Sequence, residues 1–151
     1  MQVSAKGDYA VRAAVALAAA YPAMVSAQTL AREQSLPGKF TEAVLSDLRR
    51  AGLVRGVRGV DGGYQLTRPP EQIFVGQVLR AVDGPLAGVR GQRPEDISYD
   101  GAAEHLSDLW IAVRSAVRGV LDDVSLAQVA SGKLPARVRR LTAVPDAWQP
   151  R

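Results

Sequence analysis

The chain of 151 residues contains no cysteine and only one histidine, His105. The absence of thiols excludes disulfides, thiol redox switches and cysteine-ligated metals, and one histidine is too few for a histidine-rich metal centre. Aromatic residues make up 5% of the chain, whereas 47% of it is hydrophobic. Alanine and valine dominate this hydrophobic fraction, which favours helices packed through small side chains.

The sequence also lacks an apolar run long enough for a membrane span, which needs roughly 18 residues. The nearest candidate, AVRAAVALAAAYPAMV, is interrupted by Arg12 and Pro22. It has no basic leader before it, so we interpret it as a core helix and not as a signal peptide. We therefore expect a cytoplasmic protein with no membrane partner.

Charge is distributed unevenly along the chain. Residues 1–68 carry nine Lys/Arg and five Asp/Glu, residues 69–131 carry five and nine, and residues 132–151 carry five and one. The three segments thus have net charges of +4, −4 and +4. Basic ends around an acidic middle suit a protein that presents its two ends to an anion, although an ordinary solvated surface would look the same.

Residues 26–66 have the pattern of a winged helix-turn-helix. The sequence predicts a helix from Ser26 to about Gln34, a turn at Leu36-Pro37-Gly38, a helix from Lys39 to Ala51, and strands Leu53–Val57 and Tyr64–Leu66 around Asp61-Gly62-Gly63. Such a module places one helix in the DNA major groove and its ribbon against the backbone or minor groove. The predicted class is mostly α with a small β-ribbon.

The remaining patterns give four segments. Residues 1–83 form the winged helix-turn-helix domain, with further helices at Lys6–Ala20 and Val75–Val82. Residues 84–101 are rich in glycine and proline and are predicted to be a loop. Residues 102–131 contain a long helix, Ala102–Val124, and a short helix, Leu126–Ala130. Residues 132–151 form a basic tail that we expect to be poorly ordered.

The third predicted helix carries the candidate base-reading face. Phe40, Val44, Leu48 and Ala51 fall on one stripe, which we expect to be buried. Another face presents Lys39, Glu42, Ser46 and Arg49. Arginine can bind guanine through two hydrogen bonds, glutamate can accept from cytosine, and lysine or serine can reach a base or a phosphate. A solvated face with helix ion pairs is the alternative.

Two further groups complete the predicted DNA contacts. Ser26, Gln28 and Thr29 open the second helix, where Ser26 can cap the NH groups of Gln28 or Thr29. Arg55 and Arg58 lie in the glycine-rich ribbon, and an arginine at a ribbon tip suits a narrow minor groove. A flexible surface hairpin is the alternative, because no phosphate-binding loop motif occurs there.

The long helix contains a heptad seam that predicts a dimer interface. Its members are Leu106, Trp110, Val113, Val117, Val120 and Val124, and it is widened by Leu109, Ala116 and Leu121. A seam of this width could instead pack on the body of its own chain. No arrangement of residues resembles an active site, so we expect no enzyme activity. A winged-helix protein-interaction module with only non-specific nucleic-acid binding is the competing function.

Four stretches resemble one known family. SAKGDYAVRA, LRRAGLVRGVRGVDGGYQL, VGQVLRAVDGPL and LSDLW are similar to the IscR/NsrR/CymR-type (Rrf-type) regulators, which are bacterial winged-helix transcription factors. The match covers about residues 1–131, and RGxxGGYxL is its most specific motif.

The resemblance implies a homodimer on a palindromic operator. It assigns base contacts to Lys39, Phe40 and Glu42, and minor-groove contact to Arg58. Many members hold an iron–sulfur cluster through three cysteines, which would fall at Gln92, Ser98 and Glu104 here. We therefore expect a cysteine-free, metal-free repressor that uses no cofactor. Its effector, a small molecule or a protein, is unknown.

Overall fold

The structure is a computed structural model that describes residues 2–150. These residues form helices α1 (Ala5–Ala20), α2 (Ala27–Glu33), α3 (Gly38–Arg50), α4 (Val75–Asp83), α5 (Leu106–Leu121), α6 (Leu126–Ser131) and α7 (Ala136–Thr142), and strands β1 (Val54–Val57) and β2 (Gly63–Leu66). The predicted fold class, mostly helical with a small β-ribbon, is confirmed. Between residues 2 and 150 no helix is both long and apolar enough to cross a membrane.

Helix α1 is the centre of the core. It begins where Ser4 Oγ accepts a hydrogen bond of 2.8 Å from the Gly7 amide, as a capping serine does. Its buried face consists of Ala10, Ala13, Ala14 and Leu17. Small side chains allow neighbouring helices to approach closely, and α1 accordingly contacts α3, α4 and α6.

Helix α3 follows α2 after a short turn and buries Thr41, Val44, Leu45 and Leu48. The predicted buried stripe was wrong at both of its ends, because Phe40 and Ala51 are exposed. A polar residue takes the inner position instead. The Thr41 hydroxyl donates to the Pro37 carbonyl at 3.1 Å. The buried hydroxyl therefore has a hydrogen-bond partner.

Strands β1 and β2 form an antiparallel ribbon in which Val54 pairs with Leu66 and Val57 with Gly63. The ribbon is attached to the chain before α2, because Val25 and Tyr64 exchange backbone hydrogen bonds of 2.9 and 2.8 Å. Gly63 lies against this attachment with φ +145°, and a Cβ there would stand 2.8 Å from the Val25 backbone. Only glycine fits that position without strain.

Helix α5 is shorter than predicted. A 3-10 turn at Gly101–Ala103 precedes it, and the helix ends at Leu121, not at Val124. Beyond it the chain runs back along the body, where the Val124 carbonyl accepts a 3.0 Å hydrogen bond from the Val75 amide. Arg80 on α4 binds the Asp122 carboxylate through two hydrogen bonds of 2.7 and 3.2 Å. These contacts fix the C-terminal end of α5 to the domain.

The tail contains a helix that the sequence did not predict. Residues 136–142 form α7, and a 3-10 turn follows at Pro145–Trp148. Leu134 and Val138 pack against the main core, and the Arg137 guanidinium lies over Gly119 of α5. The expectation of a poorly ordered tail left out the packing of Leu134, which precedes α7, and of Val138 within it.

Replacing Gly63 with alanine should detach the ribbon from Val25. We expect the free energy of unfolding to fall by about 1–3 kcal/mol, because the new methyl group meets backbone atoms at an unfavourable φ. Urea denaturation measures this change. Gly38→Ala is the matched control, since nothing lies within 4 Å of a Cβ at Gly38. Equal stability of the two variants would contradict the tight packing at Gly63.

Candidate nucleic-acid interface

The start of α3 lies beside α2 and lines a shallow groove with it. Gln28 on α2 and Lys39 and Glu42 on α3 share this groove, whose volume is about 340 Å³. The structure thus brings three of the predicted DNA-contacting residues together. An amide, an ammonium and a carboxylate in one open groove offer both donors and acceptors to the edge of a base pair.

The outer face of α3 continues from this groove along the helix. Lys39, Glu42 and Arg49 are exposed, and Ser46 is half-buried. Within residues 2–150, Lys39, Glu42 and Arg49 form no ion pair or hydrogen bond with another side chain. Helix ion pairs, the alternative explanation of this face, are therefore absent from these three residues. Their charged groups are available to a partner.

Phe40 lies exposed at the first turn of α3. Its side chain is 53% exposed, and its ring meets the Tyr9 ring edge-to-face at 5.8 Å between centroids. The Arg12 guanidinium lies over the Tyr9 ring, 5.9 Å from its centre. The contact with Tyr9 holds the Phe40 ring against α1, where it is available to the apolar groups of DNA such as a thymine methyl.

An ion-pair cluster fixes α3 on α1. Lys6 Nζ lies 2.5 Å from Asp47 Oδ2, and Arg50 Nη1 lies 2.9 Å from Asp47 Oδ1. The hydrogen bond from Lys6 is the main cause that holds the pKa of Asp47 below its usual value. Sequence patterns missed this cluster, because Lys6 and Asp47 are far apart in the chain and no local spacing connects them.

The ribbon presents its two arginines differently. Arg58 lies at the exposed tip and makes no hydrogen bond or ion pair within residues 2–150. Arg55 is exposed too, but its Nε donates to Gln65 Oε1 at 2.8 Å on the opposite strand. Gln65 in turn donates to the Pro22 carbonyl. Arg58 is therefore free to contact a ligand, whereas Arg55 helps to hold the ribbon on the body.

The start of α2 is occupied by its own cap. Ser26 Oγ accepts from the Thr29 amide at 3.1 Å and donates to the Thr29 hydroxyl at 2.9 Å. The predicted cap is confirmed. Of the three residues predicted here as DNA contacts, Gln28 alone has an exposed side chain without such a bond. Ser26 and Thr29 orient the first turn, and the backbone amides there can face a phosphate.

Helix α5 has two apolar faces, and the sequence assigned them to one seam. Val117 and Leu121 pack against the main core, and Val124 is buried in it. The prediction of Val124 at a dimer interface was wrong, and Val117 also contacts its own domain. Trp110 and Leu106 are half-buried beside them. This inner face of α5 therefore packs on the body of its own chain.

The outer face of α5 remains uncovered. Leu109 is 53% exposed and Val113 is 39% exposed, and they share one side of the helix with Ala116 and Val120. These four residues are spaced four, three and four apart, which is itself a heptad pattern. Ile111, 37% exposed, lies on nearly the opposite side. The apolar stripe Leu109–Val113–Ala116–Val120 is called the outer seam below.

A helix pair with a polar exposed second helix, followed by a ribbon with a free arginine at its tip, defines a winged helix-turn-helix DNA-binding protein. A family model for Rrf2, described as an iron-dependent transcriptional regulator, matches residues 3–132. The chain therefore belongs to the Rrf2 family and is a DNA-binding transcriptional regulator. The resemblance to the Rrf-type regulators is confirmed.

The chain aligns with its relatives along most of their length. The chain is 46% identical over 142 residues to the HTH-type transcriptional regulator Rv1287 of Mycobacterium tuberculosis, covering 93% of this chain and 88% of that one. It is 33% identical over 132 residues to CymR of Bacillus subtilis, covering 87% and 91%. The solved structure of B. subtilis CymR, the global cysteine regulator, superposes with a TM-score of 0.75 at 32% identity over 88% of this chain and 98% of that one. IscR of T. potens superposes with a TM-score of 0.67 at 30% identity over 100% and 93%.

The residues of this chain do not fit a cysteine-ligated iron–sulfur cluster. The chain has no cysteine, and Gln92, Ser98 and Glu104 stand where the resemblance places the ligands. Among residues 2–150 no three metal-binding side chains come together. Glu104 and His105 do meet, at 3.2 Å, but both are exposed. One carboxylate and one imidazole lack the thiolates on which such clusters depend.

Asp47→Asn should reduce stability by about 0.5–1 kcal/mol at neutral pH, because Lys6 and Arg50 lose their shared carboxylate. A lowered pKa means that Asp47 stabilises the fold above pH 3.8, its ordinary value. This contribution disappears as the pH falls through the still lower value of the folded state. Urea denaturation at several pH values measures the difference from the parent. Asp123→Asn, at an exposed position, is the control. A difference that does not diminish as the pH falls below 3.8 would contradict the ion-pair explanation.

Proposed function

We propose that this protein is a repressor that binds a palindromic operator as a homodimer and uses no iron–sulfur cluster. In each chain α3 enters the major groove, with Lys39, Glu42, Ser46 and Arg49 facing the bases and Phe40 beside them. Arg58 enters the adjacent minor groove. Binding at a promoter excludes RNA polymerase. We assign it no catalytic activity.

The unpaired side chains of α3 support this proposal most strongly. Lys39, Glu42 and Arg49 are charged, exposed and without partners in the described chain, although oppositely charged groups are common on this surface. A carboxylate among cations repels phosphate, so Glu42 favours contact with a base over non-specific attraction to the DNA backbone. The mixed face thus suits recognition of sequence.

The outer seam of α5 supports the homodimer. It leaves Leu109 and Val113 in water in a single chain, and a second copy of the same stripe would cover them. A dimer presents two α3 helices, which is how helix-turn-helix proteins read two half-sites of a palindrome. The inner face of α5 holds each head in a fixed position relative to the seam.

Selection of binding sequences from random duplex DNA tests the proposal directly. We expect enrichment of one palindrome whose half-sites are separated by a whole number of helical turns, and a footprint that covers both halves. Enrichment of no sequence would instead favour the competing function, an interaction module with only non-specific affinity for nucleic acid. Binding must be compared at one salt concentration, since phosphate contacts depend steeply on it.

Glu42→Ala should relax the preference of the protein at one base pair in each half-site. The carboxylate accepts a hydrogen bond from a cytosine amino group, and alanine removes this discrimination of about 1–3 kcal/mol. Repeating the selection with the variant measures the effect. Glu33→Ala removes the same charge from an exposed position at the end of α2 and serves as the control. An unchanged preference in the Glu42 variant would exclude it from base recognition.

Arg58→Ala should weaken operator binding by about 1–3 kcal/mol and abolish a preference for A·T pairs next to the half-site. A narrow minor groove has the most negative potential, and the arginine at the ribbon tip lies free to enter it. Affinity measurements on operators with A·T or G·C flanks separate the two effects. Arg90→Ala, in the exposed loop after α4, controls for loss of charge. Equal losses of operator affinity in the two variants would mean that Arg58 contributes only its positive charge and makes no specific minor-groove contact.

Leu109→Glu should produce monomers, because it places a charge within the paired outer seams. The side chain is already exposed in one chain, so the fold should persist. Ile111→Glu makes the same change on the other side of α5 and should remain dimeric. Sedimentation velocity measures both states. A dimeric Leu109 variant would place the interface elsewhere. Val117 is unsuitable for this test, because it packs in the core of its own chain.

A further inference from the structure

A cavity lined by four arginines lies between the end of α4, the following loop and α5. Its volume is about 400 Å³. Arg80 belongs to α4, Arg93 to the loop, and Arg114 and Arg118 to adjacent turns of α5. It shares no residue with α2, α3 or the ribbon, so the function of this cavity is separate from the DNA-contacting surface.

The positive charge of the cavity exceeds the negative charge around it. Asp122 neutralises Arg80 at 2.7 Å, and Glu95 pairs with Arg114. The guanidinium groups of Arg93 and Arg118 make no hydrogen bond or ion pair within residues 2–150. Arg93 is near enough to contribute to the lowered pKa of Glu95, after the Glu95 backbone and Arg114. Four guanidinium groups against two carboxylates leave two positive charges without a counterion.

The burial of the cavity distinguishes it from an ordinary basic surface. The Arg114 side chain is only 13% exposed, because Glu95 and the loop cover it. Gly84 leaves open space in the wall, since nothing lies within 4 Å of a Cβ at this position. Leu86 lines the same wall and is buried. A guanidinium held in this way is already ordered, so it loses little entropy when it binds an anion. Positive charge in a partly enclosed site also attracts anions more strongly than charge in water.

The dimension and charge of the cavity indicate the class of its ligand. Binding sites for small molecules usually measure about 300–1,000 Å³, so this cavity exceeds what a single inorganic ion requires. Arginine binds carboxylates and phosphates through paired hydrogen bonds. Arg93 on the loop and Arg118 on α5 approach from different elements, which favours a ligand with two anionic groups.

We propose that this cavity binds a small organic anion that carries at least two carboxylate or phosphate groups. Arg93 and Arg118 supply the free donors, and Arg114 supplies a preformed wall. Because the ligand would touch both the loop after α4 and α5, it would bridge the winged-helix body and the long helix. Arg114 and Arg118 lie on the side of α5 away from the outer seam, so pairing of two chains would leave the cavity open.

Calorimetric titration of the full chain without DNA tests this inference. Citrate probes the carboxylate arm, fructose 1,6-bisphosphate and pyrophosphate probe the phosphate arm, and chloride at matched ionic strength controls for screening. We expect the protein to bind the carboxylate probe or the phosphate probes saturably. The affinity for that probe should be at least about tenfold weaker in Arg93→Gln and in Arg118→Gln than in the parent, since each variant loses one charged donor pair. Both residues are exposed and lack counterions, so these variants should fold.

Arg90→Gln provides the matched control. It removes the same charge from the same loop but lies outside the cavity, so its affinity should equal that of the parent. The inference is overturned if none of the three probes binds above the chloride control, or if all three variants lose affinity equally. Since no DNA is present, failure here leaves the proposed operator binding unaffected, and failure of operator selection leaves this inference unaffected.

Discussion

Close packing against the small residues of α1 is the constraint on which the rest of the molecule depends. Ala10, Ala13 and Ala14 expose almost no surface, and α3, α4 and α6 all contact this helix. A larger side chain at any of the three positions would displace a neighbouring helix. The position of α3 is thus set from behind, by its contact with α1, and the Lys6–Asp47 ion pair fixes it further. The side chains that we propose contact DNA can remain unpaired, because they are not needed to hold the helix.

Helix α5 likewise packs on the core with one side and leaves its other sides accessible. Val117 and Leu121 join it to the core, and Asp122 joins it to Arg80 on α4. These contacts use only the inner side of the helix, so the outer seam and the arginine cavity remain accessible on different sides. A partner chain on one side and an anion on the other would both act on a helix that is rigidly connected to α4. The winged-helix body and the long helix are therefore mechanically connected.

Sequence patterns predicted helices α1 to α6 in their order, the Ser26 cap and the ribbon, because glycine, proline and capping residues mark boundaries locally. They failed where two faces of one helix are apolar. In α5 periodicity alone does not distinguish Val117, which is internal, from Val113, which is exposed. On α3 the exchange of Phe40 for Thr41 depended on a hydrogen bond to Pro37 that no hydrophobic pattern contains. The arginine cavity was missed because its members come from three separate segments of the chain.

The resemblance to a family and the absence of cysteine together predicted a member of that family without cysteine ligands for a cluster. The central claim that follows is that two chains bind one operator through two α3 helices. Titration of the selected operator duplex with protein, followed by sedimentation or by mass measurement of the complex, tests this claim most directly. The account predicts saturation at two chains per duplex. It also predicts a much lower affinity for a duplex in which one half-site is scrambled. Saturation at one chain, with affinity unchanged by loss of a half-site, would contradict it.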